Sequence, residues 1–255
     1  MSEKDKEEVN SFKESVKQKA LELVSQQFPH KILNLDIISN SDEFSFNSGL
    51  KSSDINIPIP DHKSKESSVK QKAMKNGEKS SKKMNVFMDS DDDDDLIIAK
   101  AFLFPNGAVE SNNCFTKMME TVKSRMIELT EDILLLKLGI SLMVPKIEDG
   151  NNFGVEVQQE TIEAINSVET EVLNKFDSFE NYYEARGDLI AKVAKYPHDQ
   201  DFRVAIQECD QRFHLNLCLT LTDIRNHYIN LHDLVTKNIN KIKNPRTQDN
   251  KDFLY

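Results

Sequence analysis

The sequence predicts an all-α fold, an antiparallel four-helix bundle with a long insert between its first two helices. Glycine and proline are scarce, at seven each in 255 residues, which disfavours a turn-rich β fold. Apolar residues recur every three or four positions over four long stretches, which is helical spacing. The connections after the second and third stretches are short, and short connections join antiparallel neighbours.

The first predicted helix covers about residues 4–40. Because proline lacks a backbone N–H, Pro29 should kink or interrupt this helix. Helical spacing is followed before the proline by Val9, Phe12, Val16, Leu23, Val24 and Phe28, and after it by Ile32, Leu33, Leu35, Ile37 and Ile38.

The next segment, residues 43–110, differs in kind. Residues 55–63 (INIPIPDHK) are proline-punctuated and predicted to be extended, and a polar, lysine-rich stretch and an acidic run at 89–95 follow. With so few apolar residues, this segment cannot bury enough apolar surface to offset the conformational entropy lost on ordering. Residues 61–95 are therefore predicted to be a disordered insert. Its densest lysines, Lys79, Lys82 and Lys83, form either a loose nuclear-import or polyanion patch or simply a solvated surface.

The second predicted helix, about residues 111–144, has the most regular pattern. One stripe alternates spacings of four and three, which is a heptad pattern. A second apolar line widens the face beyond what a lone bundle needs, which suggests burial against neighbouring subunits. The first stripe comprises Phe115, Met119, Val122, Met126, Leu129, Ile133, Leu136, Ile140 and Met143, and the second Met118, Ile127, Leu134, Leu138 and Leu142.

The third and fourth predicted helices cover about residues 156–195 and 200–241. Arg186 occupies a position where the third helix's stripe calls for an apolar residue, and Tyr196-Pro197 ends that helix. The chain thus divides into residues 1–60 (first helix and extended segment), 61–95 (insert) and 96–255 (remaining helices and tail). The stripes are Ile165, Val168, Val172, Phe176, Phe179, Tyr183, Ile190 and Val193, then Phe202, Ile206, Phe213, Leu217, Leu221, Ile224, Tyr228, Leu231 and Val235.

Composition and motifs exclude several classes of function. The net charge of −10 argues against nucleic-acid binding, and no apolar run approaches the ~20 residues of a membrane span. Cys114, Cys209 and Cys218 form no CxxC pair, so neither a disulfide framework nor a zinc site is expected, and a reducing intracellular location fits. The start, MSEKDKEEVN, lacks the apolar region of a signal peptide.

No catalytic residue, metal site or cofactor motif emerges from the sequence. His214, His227 and His232 share the fourth helix, but none of their spacings is the i, i+4 pair of a helical metal site. P-loop, GxSxG and glycine-rich dinucleotide motifs are missing from the sequence. The two cysteines of the fourth helix are expected to be packing residues.

The loop at residues 144–155, VPKIEDGNNFGV, is the most unusual connection. Gly150 and Gly154 permit positive φ, and the loop carries the aromatic Phe153. In an up-down-up-down bundle this loop lies at the same end as the C-terminal tail, which ends in Phe253, Leu254 and Tyr255. From spacing alone two interpretations stay open: a plain connector with a frayed tail, or a two-point docking surface.

Several segments resemble the 11S proteasome activators, the REG family, and most of all its gamma type. The resemblance covers most of 111–255 and earlier pieces, but not residues 61–95. The segments are PKIEDGNNFGV (145–155), KVAKYPH (192–198), TDIRNHYINLHDLVTKNINKIKNPR (222–246), ELVSQQFPHKILNLD (22–36), INIPIPD (55–61) and FLFPNG (102–107).

The resemblance implies a heptameric ring of four-helix bundles that caps the 20S proteasome without ATP and has no chemistry of its own. Tails would enter pockets between the α subunits, and an activation loop would open the gate. By resemblance, the loop comprises Ile147, Glu148, Asp149, Gly150, Asn151, Asn152, Phe153 and Gly154, and the docking end comprises Phe253, Leu254 and Tyr255.

The chain departs from the gamma type at Asp188, where those relatives have a lysine, so their peptide preference is not carried over. The gamma type is nuclear, and the looser lysines of this insert predict the nucleus, with the cytoplasm as a second location. The alternative function is a non-activating helical adaptor that binds a partner through its tail.

Overall fold

The computed structural model describes residues 2–46, 55–60 and 106–246, and its helices confirm the predicted fold class. A π-helical turn, Leu23–Gln27, joins the first two α-helices into one long segment, so there are four long helical segments, and the described residues contain no strand. The α-helices are α1 (Glu3–Glu22), α2 (Phe28–Ser39), α3 (Asn113–Met143), α4 (Phe153–Lys195) and α5 (Gln200–Lys243), and a short 3₁₀ helix, Asp42–Phe44, follows α2.

The predicted interruption at Pro29 takes the form of this π-helical turn. The backbone N–H of Phe28 donates to the carbonyl of Leu23, five residues back, so the extra residue is absorbed before the proline. Pro29 then lies in the first turn of α2, where a missing N–H leaves no intrahelical bond unmade.

Contacts along the helices confirm the antiparallel arrangement. Gly139, late in α3, packs so closely on Ala20 of α1 that any side chain on the glycine would collide with the alanine Cβ. Further along, Lys31 of α2 reaches back to Asp132, earlier in α3. The first helical segment and α3 therefore run in opposite directions.

The apolar stripe predicted for the second helix forms the centre of the core. Eight of its nine residues are buried, and Met143 is partly buried where α3 ends. The stripe of α5 is likewise buried except for Phe202, which is partly exposed. Cys209 and Cys218 are buried among these residues, as expected of packing residues, and burial raises the pKa of the Cys218 thiol to about 11.

Eight residues predicted on apolar stripes are exposed instead, three of them (Ile127, Leu134 and Leu138) on the second line of α3. The first three turns of α1 are exposed, so Val9 and Phe12 stay exposed among the described residues, and packing begins at Val16. Leu33 and Ile37 of α2 also face outward, because only one side of this helix lies against the core. On α4, Tyr182 is buried in place of the predicted Tyr183.

A buried polar cluster links α2, α3 and α5. The Asp132 carboxylate accepts hydrogen bonds from Lys31 and, at 2.6 Å, from the Tyr228 hydroxyl. Lys31 Nζ also lies 3.0 Å from a Glu128 carboxylate oxygen. Burial alone would lower the pKa of Lys31, but its bonds to Asp132 and Glu128 outweigh burial and raise that pKa. Burial and the bond to Asp132 raise the pKa of Tyr228.

A second buried cluster explains the polar residue in the α4 stripe. Arg186 is buried, and its Nε donates to the Asp210 carboxylate at 3.2 Å. The same carboxylate accepts a bond of 3.0 Å from the Tyr182 hydroxyl. Arg186 therefore occupies its apolar position because a carboxylate from α5 compensates its charge.

Residues 55–60 and Asn106, which flank the segment 61–105, lie near the α4–α5 connection. Residues 55–60, part of the segment predicted to be extended, form neither helix nor strand, and Ile57 packs on Val193 and Ile206. The side chains of Asn56 and Asn106 hold each other: Asn56 donates to the Asn106 carbonyl and Asn106 to the Asn56 side-chain oxygen, each at 3.0 Å.

Residues 61–105, which include the predicted disordered insert and Lys79, Lys82 and Lys83, lie outside the described residues. No helix within 2–46 or 106–246 combines the length and apolar character needed to cross a bilayer.

Candidate functional site: the α3–α4 loop and the end of α5

The loop predicted to be functional leaves the bundle as an exposed segment. After α3 ends at Met143, the chain is extended from Val144, and Ile147 is fully exposed. Gly150 has φ of +132°, a conformation that L side chains rarely adopt, so the glycine is required by the turn itself. The loop therefore presents residues 147–152 to solvent at this end of the bundle.

The loop ends earlier than the sequence predicted. Phe153 and Gly154 belong to the first turn of α4 rather than to the loop, because the Asn151 side chain accepts a hydrogen bond of 3.1 Å from the Phe153 N–H. The Asn152 carbonyl then accepts bonds from Val155 and Glu156, which start the helix. Phe153 stays 59% exposed, so its ring does not fold onto the bundle as the aromatic of a plain connector would.

Gly154 serves a different purpose from the one predicted. Its φ is not positive, and it lies instead against the backbone of Pro245, just past the end of α5. A Cβ on residue 154 would lie 2.6 Å from the Pro245 Cα and closer still to the Pro245 carbonyl oxygen. The glycine is thus needed for close approach between the start of α4 and the base of the tail.

A buried glutamine fixes three helix ends to one another. Gln158 is fully buried, and its side-chain nitrogen donates to the Met143 carbonyl at 3.2 Å and to the Ile242 carbonyl at 2.8 Å. These carbonyls belong to the last turns of α3 and α5, which lack intrahelical partners. The loop and the start of the tail therefore leave from a shared, rigid base.

Arg246 joins the base of the tail to the loop directly. Its Nη1 donates to the Glu148 carboxylate at 3.0 Å. Its Nη2 donates to the Asn152 side-chain oxygen at 3.1 Å and to the Glu148 carbonyl at 3.4 Å. Together with the Gly154–Pro245 contact, this places the predicted loop and the start of the predicted tail side by side. The tail residues Phe253, Leu254 and Tyr255 lie outside the described residues.

The remaining polar residues on α5 give no sign of a metal site. His214 is buried against the Glu43 carbonyl and Cys218, and His227 lies 3.5 Å from Glu171. Within the part of the chain that the structure describes, no group of three or more metal-ligating side chains comes together.

Sequence reasoning missed Gln158 and Arg246. Gln158 and Thr161 extend the α4 apolar stripe towards its start, at spacings of three and four before Ile165, so a buried polar role was open to inference. Nothing in the sequence indicates that Arg246 contacts residues about a hundred positions away.

Comparison with known proteins decides the family. Residues 108–252 match the family described as proteasome activator PA28, C-terminal, and residues 3–62 match proteasome activator PA28, N-terminal. The chain belongs to the PA28 proteasome activator family. Membership confirms the resemblance and the prediction of a regulator of the proteasome rather than a peptidase.

Individual relatives agree. Proteasome activator complex subunit 3 of Gallus gallus is 36% identical over 248 residues, covering 97% of this chain and 94% of the relative. The Homo sapiens protein of the same name is 34% identical over 256 residues, with the same coverage. These names match the predicted gamma type.

Solved structures extend the comparison to the fold. The 11S subunit of the Plasmodium falciparum proteasome, PA28, is 30% identical and superposes with a TM-score of 0.75, covering 96% of each chain. An archaeal 20S proteasome in complex with a mutated P26 activator provides a second match, at 12% identity and a TM-score of 0.56, which supports the fold alone.

Proposed function

We propose that this PA28-family chain forms a heptameric ring that caps the 20S proteasome without ATP and opens its gate to peptides. The observation that carries this proposal is the junction of the α3–α4 loop with the base of the tail through Arg246 and Pro245. A capping subunit needs one element that binds and another that acts on the gate, side by side.

The two elements divide the work. Phe253, Leu254 and Tyr255 are proposed to enter pockets between α subunits, where seven weak contacts on one rigid ring reinforce each other through effective concentration. The exposed residues 147–153, from Ile147 through Asn151 to Phe153, are proposed to press on the gate, with Gly154 packed on Pro245 behind them. They favour the open gate only if they contact it better than the closed gate.

Exposed apolar side chains on α3 support a ring. Ile127, Leu134 and Leu138, all on the second apolar line, are about half exposed in the single chain. Large apolar side chains on one face are commonly covered by another protein surface, and a neighbouring copy in a ring would cover them. A particle of about seven times 29.3 kDa in light scattering is expected.

The test is fluorogenic peptide hydrolysis by latent 20S proteasome, with and without the protein. Wild type is expected to stimulate hydrolysis. Asn151→Tyr should bind the proteasome without stimulating it, because the bulky ring disturbs the loop and spares the tail. Removal of residues 253–255 should abolish both binding and stimulation.

Each failure has a distinct meaning. Wild-type protein that assembles and binds but does not stimulate would support the non-activating adaptor. A stable monomer with no effect on hydrolysis would overturn the proposal altogether.

We also propose a nuclear location, with the cytoplasm as a second location, supported by the lysines of the insert and by the subunit 3 relatives. A fluorescent fusion in which Lys79, Lys82 and Lys83 are replaced by alanine would test this. Wild type should concentrate in the nucleus and the variant should not.

A further inference from the structure

The side chain of Arg246 contacts the activation loop at two points that bracket its turn. Glu148 and Asn152 lie on either side of residues 149–151, and both accept hydrogen bonds from the same guanidinium. The planar fork of arginine can bridge two acceptors in this way, whereas a lysine ammonium acts as a point charge.

The segment between those two points has little else to order it. Residues 147–152 are all exposed, and Gly150 at its centre has high conformational freedom. An exposed loop of this kind opens at low cost in free energy unless its ends are fixed. The Arg246 guanidinium, which binds both ends of the turn, is therefore well placed to fix the position of the loop relative to the bundle.

Asn152 gives an independent sign that the contact serves the loop. As the residue before α4, asparagine normally accepts a hydrogen bond from the helix's first turn through its side-chain oxygen. Asn152 makes no such cap, and its oxygen accepts from Arg246 instead. The preferred capping group is thus used to bind the chain that leads to the tail.

The charge arrangement points the same way. Arg246 lies by the N-terminal end of α4, where the helix dipole is positive and disfavours a cation. The Glu148 carboxylate offsets this effect, but its side chain is 65% exposed, so the ion pair adds little to stability. The contacts of Arg246 are better explained by a role in positioning the activation loop than by a contribution to the stability of the fold.

We propose that Arg246 is a positioning residue that holds the activation loop at a fixed geometry relative to the docking tail. When the tail is bound, the guanidinium would transmit its position to Glu148 and Asn152 and so align the loop with the gate. This inference rests on the proposed function of loop and tail, and it assigns to Arg246 a role separate from docking.

The test compares wild type, Arg246→Ala, Arg246→Lys and a matched control, Lys243→Ala, which removes an exposed cation at the same end. Peptide hydrolysis by 20S proteasome is titrated with each protein to give the half-maximal concentration and the maximal stimulation. Hydrogen exchange of the 144–155 segment is measured on each free protein.

Arg246→Ala should lower maximal stimulation about fivefold or more, since the loss of loop order recurs in every subunit, with less than about a threefold change in half-maximal concentration. Exchange in 144–155 should rise while the middle of α5 is unchanged. Arg246→Lys should fall between wild type and alanine, and Lys243→Ala should match wild type.

Other results would overturn the inference. Unchanged maximal stimulation, or unchanged exchange in the loop, would show that Arg246 does not position it. Loss of binding in Arg246→Ala would make the residue part of the docking tail instead. Were wild type itself not to stimulate, the proposed function would fail, and the exchange measurement alone would decide whether Arg246 orders the loop.

Discussion

Replacement of Gly154 by alanine tests the contact between the start of α4 and the base of the tail. The new Cβ would lie 2.6 Å from the Pro245 Cα and closer still to the Pro245 carbonyl oxygen, whereas ordinary contact begins at 3.4 Å, so the proline must retreat by at least about 0.8 Å. Overpacking of this kind costs about 1–3 kcal/mol. The base of the tail would move relative to the loop, and stimulation should fall.

Gly187→Ala is the matched control, because Gly187 lies in the same helix and a Cβ there meets nothing within 4 Å. Alanine gains up to about 1 kcal/mol of helix propensity at Gly187, in the helix interior, and less at Gly154, in the first turn; the rest of their difference reports the collision. Urea denaturation at one fixed protein concentration should place Gly154→Ala about 1–3 kcal/mol below Gly187→Ala. Equal stability of the two variants, with full stimulation by Gly154→Ala, would refute the reasoning.

Three further predictions concern the interior. Asp132→Ala should lower the free energy of unfolding by about 2–4 kcal/mol in urea, because it leaves Lys31 and Tyr228 without their shared carboxylate; a loss under about 0.5 kcal/mol would contradict this. Burial would raise the pKa of Glu128, but hydrogen bonds from Lys31 and Arg125 outweigh burial and hold that pKa below 4.5. The stability from Glu128 is thus present above pH 4.5 and lost as the pH falls through the lowered pKa, so Glu128→Gln should flatten the acid side of the stability curve, and an unchanged slope would count against the pairing. With the Cys218 thiol buried and its pKa raised to about 11, iodoacetamide at pH 8 should modify the half-buried Cys114 first, and mass spectrometry that finds equal rates would disprove the burial.

Most of the fold could be predicted because the spacing of apolar residues within each helix determines which of them are buried. The stripe from Phe115 to Ile140 is apolar at every core position, and each of those positions is buried. Arg186 shows that position on the stripe decides burial even when the residue is polar, although its partner Asp210 could not be inferred. Periodicity fixes which face of a helix is apolar, but it carries no information about pairing between helices.

The exposed apolar residues show the corresponding limit. Val9, Phe12, Leu33 and Ile37 follow helical spacing, yet no part of the described chain covers them. Spacing cannot distinguish a face that packs inside the chain from one left for another surface. Tyr183 differs because the adjacent Tyr182 is held inward, where its hydroxyl donates to Asp210 and its ring stacks on Phe213.

The sequence predicted where the candidate site lies, but not the contacts that hold it together. The sequence located the loop, and the topology predicted the C-terminal end beside it, where Pro245 and Arg246 lie. The contacts that join them, through Gln158, Gly154 and Arg246, link positions about 80 to 100 residues apart. Such contacts depend on the relative register of three helices, which side-chain periodicity leaves undetermined.

The paired asparagines Asn56 and Asn106 have a consequence for how this gene can change. They hold together the two points between which residues 61–105 run, at the far end of the bundle from the loop. Once the ends of a connection are fixed, doubling its length costs only about 0.6 kcal/mol in closure entropy. Insertions, deletions and new recognition motifs can therefore accumulate in this segment over evolution, while the helices that carry the loop and tail keep their geometry.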